Sequence, residues 1–248
     1  KTTFLYIDAF KYETYLLRCK RKFLKKIHSL NNPNFRKAAK EFNNIGATFV
    51  DDKETQLIGK KVLDRLTKEE KKLKWEVIKE GNSINLKSDL FKSFPELREL
   101  CEKILEPVIN EIYKSNYKVF FGVMFKSFPF IKNPTGSQIW HSDGGPGTCI
   151  NIMFYPKGVS ENQGAMKFIS WKNSRKILIK CDQYIKNNFN IKKASKKEIR
   201  DAKADFYENE IKNDDDIHVF QPTSDNGSVL FFRNNCVHKG GYPKENND

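Results

Sequence analysis

Apolar positions in residues 1–115 recur mainly on a helical spacing, whereas those from 117 onward fall in short runs broken by turn residues. FLYIDAFKYETYLLRCKRKFLKKIHSL (4–30) keeps a helical repeat until NNPN stops it. GATFVDD (46–52) reads as a short strand. DDKETQLIGKKVLDRLTKEEKKLKWEVI (51–78) follows as one or two amphipathic helices, with acidic residues at the start where the helix dipole favours them. SFPELRELCEKILEPVINEIYK (93–114) predicts a further helix, kinked or broken at Pro107.

The second half predicts strands at YKVFFGVMFKSFPFI (117–131), SQIWHSD (137–143), TCINIMFYP (148–156), GAMKFIS (164–170), IHVFQP (217–222) and GSVLFFRNN (227–235). Many short strands at close spacing point to a sandwich or jelly roll with the N-terminal helices packed outside. Residues 171–216 are too long and too charged for a hairpin loop and predict a helical insertion placed to act as a lid. The expected architecture is therefore mainly β with flanking helices, in one domain over residues 1–248. Its helical N-terminal part is 1–115, its β core 117–248, with the insertion at 171–216.

Composition narrows the function classes. The formal charge is +14, but lysines are spread along the whole chain and only KRKFLKK (20–26) is a tight cluster. A solvated lysine-rich surface fits this better than a nucleic-acid footprint. The five cysteines, Cys19, Cys101, Cys149, Cys181 and Cys236, are odd in number and show no C-x-x-C spacing. That argues against a disulfide framework or structural zinc and for a reducing, cytoplasmic compartment. No apolar run is long enough to span a bilayer, and no signal-peptide pattern opens the chain.

Candidate chemistry lies in QIWHSDGGPGTCINIMFY (138–155). On a strand, residues i and i+2 share a face, so His141 and Asp143 aim an imidazole and a carboxylate at one point. His238, at the end of a later strand, is the candidate third ligand. Two histidines and one carboxylate with open positions suit ferrous iron. Taken alone, H-x-D equally fits a surface aspartate bonded to a neighbouring histidine. Of the four histidines, His28 falls in the basic N-terminal helix and His218 at a strand start, positions that favour structural or exposed roles. DGGPGT (143–148) precedes a strand and lacks a following Lys-Ser/Thr, which argues against a phosphate loop. Trp140 fits the core.

QIWHSD, SENQGAM (160–166) and GSVLFFRNNCVHKGG (227–241), in that order, resemble the phytanoyl-CoA dioxygenase family, which includes ectoine hydroxylase. GATFVDDKETQLIGKKVLDRL is similar to that family's opening strand and helix. The resemblance implies a double-stranded β-helix, a cupin-like jelly roll, with His141, Asp143 and His238 holding Fe(II). It implies 2-oxoglutarate and O2 as cosubstrates and hydroxylation of an unactivated C–H bond. Related halogenases carry a small residue in place of the carboxylate, so an intact Asp143 favours hydroxylation. The family's arginine for the distal carboxylate of 2-oxoglutarate would fall at or just past Asp248. Lys126 and Arg233 are the alternative cations, and Asn151 matches a polar position whose amide can bond a cosubstrate oxygen. ISWKNS (169–174) departs from the family's Pro-Gly-Ser-His turn.

The substrate expected is a small molecule, with the basic balance favouring an anionic one, and neither nucleic acid nor membrane is expected as a partner. Two other readings stay open on sequence grounds. One is a nucleic-acid oxidative demethylase on the same barrel, although HKGGYPKENND (238–248) lacks the arginine series of those enzymes. The other is a non-catalytic jelly-roll binding protein.

Overall fold

In a computed structural model the described residues are 32–77, 83–113, 117, 119, 122–128, 136–144, 149–241 and 243. The helix expected at 4–30 lies outside them. The chain enters through α1 (Pro33–Ile45), which Asn32 caps by accepting the Asn34 N–H and which Pro33 starts with its preset φ. Its Phe35, Ala38, Ala39 and Phe42 recur at helical spacing and are buried. Gly46 ends it at φ 93°, and a Cβ there would lie 2.6 Å from Cys236 Sγ, so only glycine fits this junction.

Strand β1 (Ala47–Val50) and helix α2 (Lys53–Glu69) follow as expected, with Asp52 capping α2 through the Thr55 N–H. The helical reading of 51–78 needs correction at its end. A 3-10 turn (Glu70–Lys72) leads into strand β2 (Trp75–Val77), which pairs with β3 (Ser83–Leu86), and β3 pairs with β4 (Phe125–Ser127). The helix expected at 93–114 is α3 (Leu90–Ser93), α4 (Glu96–Leu100), a π turn (Cys101–Leu105) and α5 (Glu106–Tyr113). The π turn accommodates Pro107. The Glu106 N–H reaches back to Cys101 O, widening the coil just before the residue that has no N–H to give.

Two three-stranded antiparallel sheets form the centre. One has the order β1–β8–β5, with β8 (Ser228–Arg233) between β1 and β5 (Ile150–Tyr155). The other has the order β7–β6–β9, with β6 (Lys167–Ile169) between β7 (Val219–Phe220) and β9 (His238–Lys239). Period-two alternation sorts their side chains. Ala47, Phe49, Met153, Tyr155, Leu230 and Phe232 of the first sheet meet Phe168 and Phe220 of the second, and Met166 just before β6, in one shared apolar layer. Val229 and Phe231 point the other way, into a core with Phe42 of α1, Ile58 and Val62 of α2, and Val108 of α5.

On the far side, Ile169 and Val237 face a helical hairpin, α6 (Trp171–Asn188) and α7 (Lys196–Asn213), and bury Ile177, Leu178, Cys181 and Tyr207. The insertion expected at 171–216 is thus this hairpin, seated on the outer face of the second sheet. Ser170 caps α6, and a Ser195–Glu198 capping box starts α7. The layers run helix, sheet, sheet, helix.

The expectation of a mainly β chain is corrected. Helix outweighs strand among the described residues, because strands are two to six residues long and the two long helices of the hairpin add to those of the first half. Only Phe125–Ser127 of the run 117–131 is a described strand, and SQIWHSD contains a 3-10 turn (Gly136–Gln138) and a single bridge at His141. Phe231 is fully buried in the largest core. Phe231→Ala should destabilise the protein by about 3–5 kcal/mol, seen as a lower urea midpoint with an unchanged slope.

Candidate metal centre

The site begins with a backbone pairing. His141 N–H donates to His238 O at 2.8 Å, and His238 N–H donates to His141 O at 2.9 Å. Two residues that exchange both bonds across an antiparallel bridge carry their side chains on the same face. The rings accordingly meet with centroids 4.2 Å apart. Phe168 pairs with His238 on β6 and points into the shared layer, so His238 points there too, with its ring edge-on to Phe232 at 4.9 Å.

Both imidazoles are oriented by the same device. Nδ1 of His141 lies 2.8 Å from Ile139 O, and Nδ1 of His238 lies 2.8 Å from Cys236 O. A carbonyl oxygen only accepts, so each Nδ1 carries the proton and each Nε2 offers a lone pair. Asp143 closes the triangle. Its Oδ1 is 3.4 Å from His141 Nε2 and its Oδ2 3.6 Å from His238 Nε2. One donor atom from each residue lies within 4.8 Å of the other two. Donors at right angles around an ion with bonds of about 2.1 Å stand about 3 Å apart, so modest closure would seat one.

Two asparagines hold the acid. Asp143 N–H donates to Asn234 O at 3.1 Å, while the Asn234 amide donates to Gly144 O. The Asn151 amide donates to Asp143 Oδ2. From the hairpin side, Ser174 Oγ accepts the N–H of Val237 at 2.9 Å, fixing the chain one residue before the distal histidine. Burial falls from His238, through His141, to Asp143, whose side chain is 39% exposed. Burial, and then the neighbouring His141, push His238 down to about 4, against the smaller upward pull of Asp143. Burial would raise the Asp143 carboxyl, but the two neighbouring imidazoles, His141 first, and the Asn151 amide outweigh it and hold the group below its ordinary range. Two imidazole nitrogens and one carboxylate make a set suited to a divalent cation with open positions.

The structure brings His141, Asp143, His238 and Asn151 together. It does not bring the two cation candidates there. Arg233 pairs with Ile150 and Phe232 with Asn151, so Arg233 lies on the opposite face of β8 from the site. Its guanidinium sits 4.9 Å from the Phe42 ring and 5.4 Å from the Trp171 ring, joining α1 to α6. Lys126 lies 3.7 Å from Glu70 and 4.8 Å from the centre of the Trp75 ring, contacts that anchor it to the third sheet. His218 precedes β7 and is not part of the His141–Asp143–His238 group, Trp140 is buried in the helical-hairpin core, and His28 lies outside the described residues. Sequence reasoning passed over Asn234 and Ser174. The polar pair in FFRNNCVH was a usable signal for the first, whereas nothing local marks Ser174.

No protein-family model and no curated protein matches the chain. Among solved structures it is similar to the non-heme alpha-ketoglutarate-dependent carbocyclase SnoK from nogalamycin biosynthesis. Identity is 13%, the TM-score 0.51, and the alignment covers 90% of this chain and 82% of that one. At that identity the likeness is one of fold.

The His238 shift makes a stability prediction for the metal-free protein. The unfolded chain takes up the histidine proton near its ordinary value of 6.5, while the fold keeps it off until about 4. More protons are bound unfolded in that window, so stability falls as pH drops through it, by about 1.4 kcal/mol per pH unit. Urea midpoints of chelator-treated protein between pH 7 and 4.5 should fall more steeply for the wild type than for His238→Gln.

Proposed function

We propose that this protein is a non-haem oxygenase that uses Fe(II), 2-oxoglutarate and O2 to hydroxylate an unactivated C–H bond of a small, anionic metabolite. The observation that carries the reading is the convergence of His141, Asp143 and His238 on one point at the end of a two-sheet core. The fold likeness to an alpha-ketoglutarate-dependent carbocyclase supports it, as does the motif order shared with the phytanoyl-CoA dioxygenase family. His141, Asp143 and His238 would hold a ferrous ion, which would supply open positions for a 2-oxo acid and O2.

The chain's own residues do the rest. His141 and His238 present Nε2 because their Nδ1 protons are committed to Ile139 O and Cys236 O. Asp143 supplies the negative charge from the most exposed corner of the trio. Phe232 packs on the most buried ligand and keeps water from it. The retained carboxylate favours hydroxyl transfer over halogenation.

A solvated, scattered lysine surface argues for a metabolite over a nucleic acid. The odd number of cysteines and the lack of C-x-x-C spacing support the reducing, cytoplasmic setting proposed here. Among the described residues no helix is long and apolar enough to cross a membrane.

Anaerobically loaded protein, given 2-oxoglutarate and a metabolite panel, should consume O2 and release succinate in equal amounts. His141→Ala should abolish this while the circular dichroism spectrum stays unchanged, and undiminished turnover in that variant would refute the assignment. Single-stranded and duplex oligonucleotides should give only weak gel shifts that vanish as salt rises. Oxidation of an oligonucleotide base would turn the reading to a demethylase.

A further inference from the structure

Asp143 has two carboxylate oxygens, and the structure treats them differently. Oδ1 faces His141 Nε2 at 3.4 Å with no other side-chain partner among the described hydrogen bonds, whereas Oδ2, 3.6 Å from His238 Nε2, also accepts the side-chain amide of Asn151. Asn151 can reach because β5 pairs with β8 so that it lies opposite Phe232, on the face that carries the ring packed against His238. It is a polar residue in the otherwise apolar strand INIMFY. The Asp143 main chain is fixed separately, by the Asn234 carbonyl. Backbone and carboxylate are therefore held by two different elements before any ion arrives.

We propose that Asn151 is a positioning residue that withholds Oδ2 and makes Asp143 a single-oxygen ligand, an inference that rests on the metal reading above. A carboxylate can grip a cation through one oxygen or two. Two oxygens plus two imidazoles would fill four of six octahedral positions and leave two. One oxygen leaves three, the number that a two-point 2-oxo acid and O2 require together. A charge-assisted hydrogen bond on Oδ2 competes with its ligation and also restricts rotation of the carboxylate plane. Asn151 is thereby assigned to the acid ligand, and not to a direct contact with the cosubstrate.

Co(II) is the probe, because its visible absorption reports coordination number and needs no turnover. Wild-type protein, Asn151→Leu (same size, no donor) and Asn151→Gln (donor retained on a longer arm) are titrated with Co(II) without 2-oxoglutarate, then with it. Melting curves confirm that each is folded. The wild type should take one Co(II) per chain. Asn151→Leu should bind it with a changed band intensity, as Oδ2 becomes free to ligate, and Asn151→Gln should move the spectrum back toward the wild type.

If the wild type takes up no Co(II), the metal reading itself fails. If it does, and both variants match it in affinity and spectrum, the positioning role is overturned while the metal reading stands. A variant that binds Co(II) normally and loses only 2-oxoglutarate affinity also overturns it, by assigning Asn151 to the cosubstrate. Should Asn151→Leu fail to fold, Asn151→Ala takes its place: an unchanged spectrum and affinity without the amide sinks the proposal.

Discussion

The site depends on one reciprocal backbone bridge. His141 and His238, far apart in the chain, each give an N–H and accept one from the other, and that exchange puts both imidazoles on the same side. Parity does the remainder. Val237 points into the helical hairpin and His238 into the space between the sheets, so a slip of one residue would bury the wrong side chain on both faces. The register of a two-residue strand thus separates a donor set from a disordered mixture of polar groups.

Electrostatics follow from where that bridge sits. The most buried donor is His238, and burial disfavours its charged form. The acid lies where water still reaches, so its charge avoids the cost of full desolvation. A gradient from neutral and dry to anionic and wet leaves the Asp143 side as the accessible side of the trio. Asn151 and Asn234 then settle which way the carboxylate faces there, using hydrogen bonds that do not need the ion.

How much of this was legible varies residue by residue. The i, i+2 spacing of His141 and Asp143 is a local fact, and with four histidines in the chain His238 could be named as their partner. Strand β1 and the helical character of 171–216 were legible because apolar spacing and caps are local as well. The helical N-terminal run was legible only as an expectation, since residues 4–30 are not described. Arg233 was opaque. An arginine ending an apolar strand reads equally well as an inward cation or an outward one, and only the register Arg233–Ile150 decides. Trp75–Val77 was misread because a three-residue strand is too short for alternation to show against a preceding helix. For Lys126 the strand was legible, but its partners, Glu70 and Trp75, come from a turn and strand whose proximity is tertiary.

The excess of helix over strand is itself tied to the site. Strands of two or three residues cannot hold register through their own ladder, and β6, β7 and β9 are of that length. Something else must pin them, and the contacts name it. Ser174 of α6 takes the Val237 N–H, and its own hydroxyl reaches back to Ile169 O, so one buried side chain ties β9 and β6 to the helix. Around it Ile177, Leu178, Cys181 and Ile185 supply the apolar weight that keeps α6 in place. On the other sheet, Arg233 links β8 to Phe42 of α1 and Trp171 of α6, and Gly46 lets α1 and α6 approach to within contact of Cys236. The helices are therefore part of what sets ligand geometry. A packing defect in α6 far from any donor atom would reach His238 through the two hydrogen bonds of Ser174.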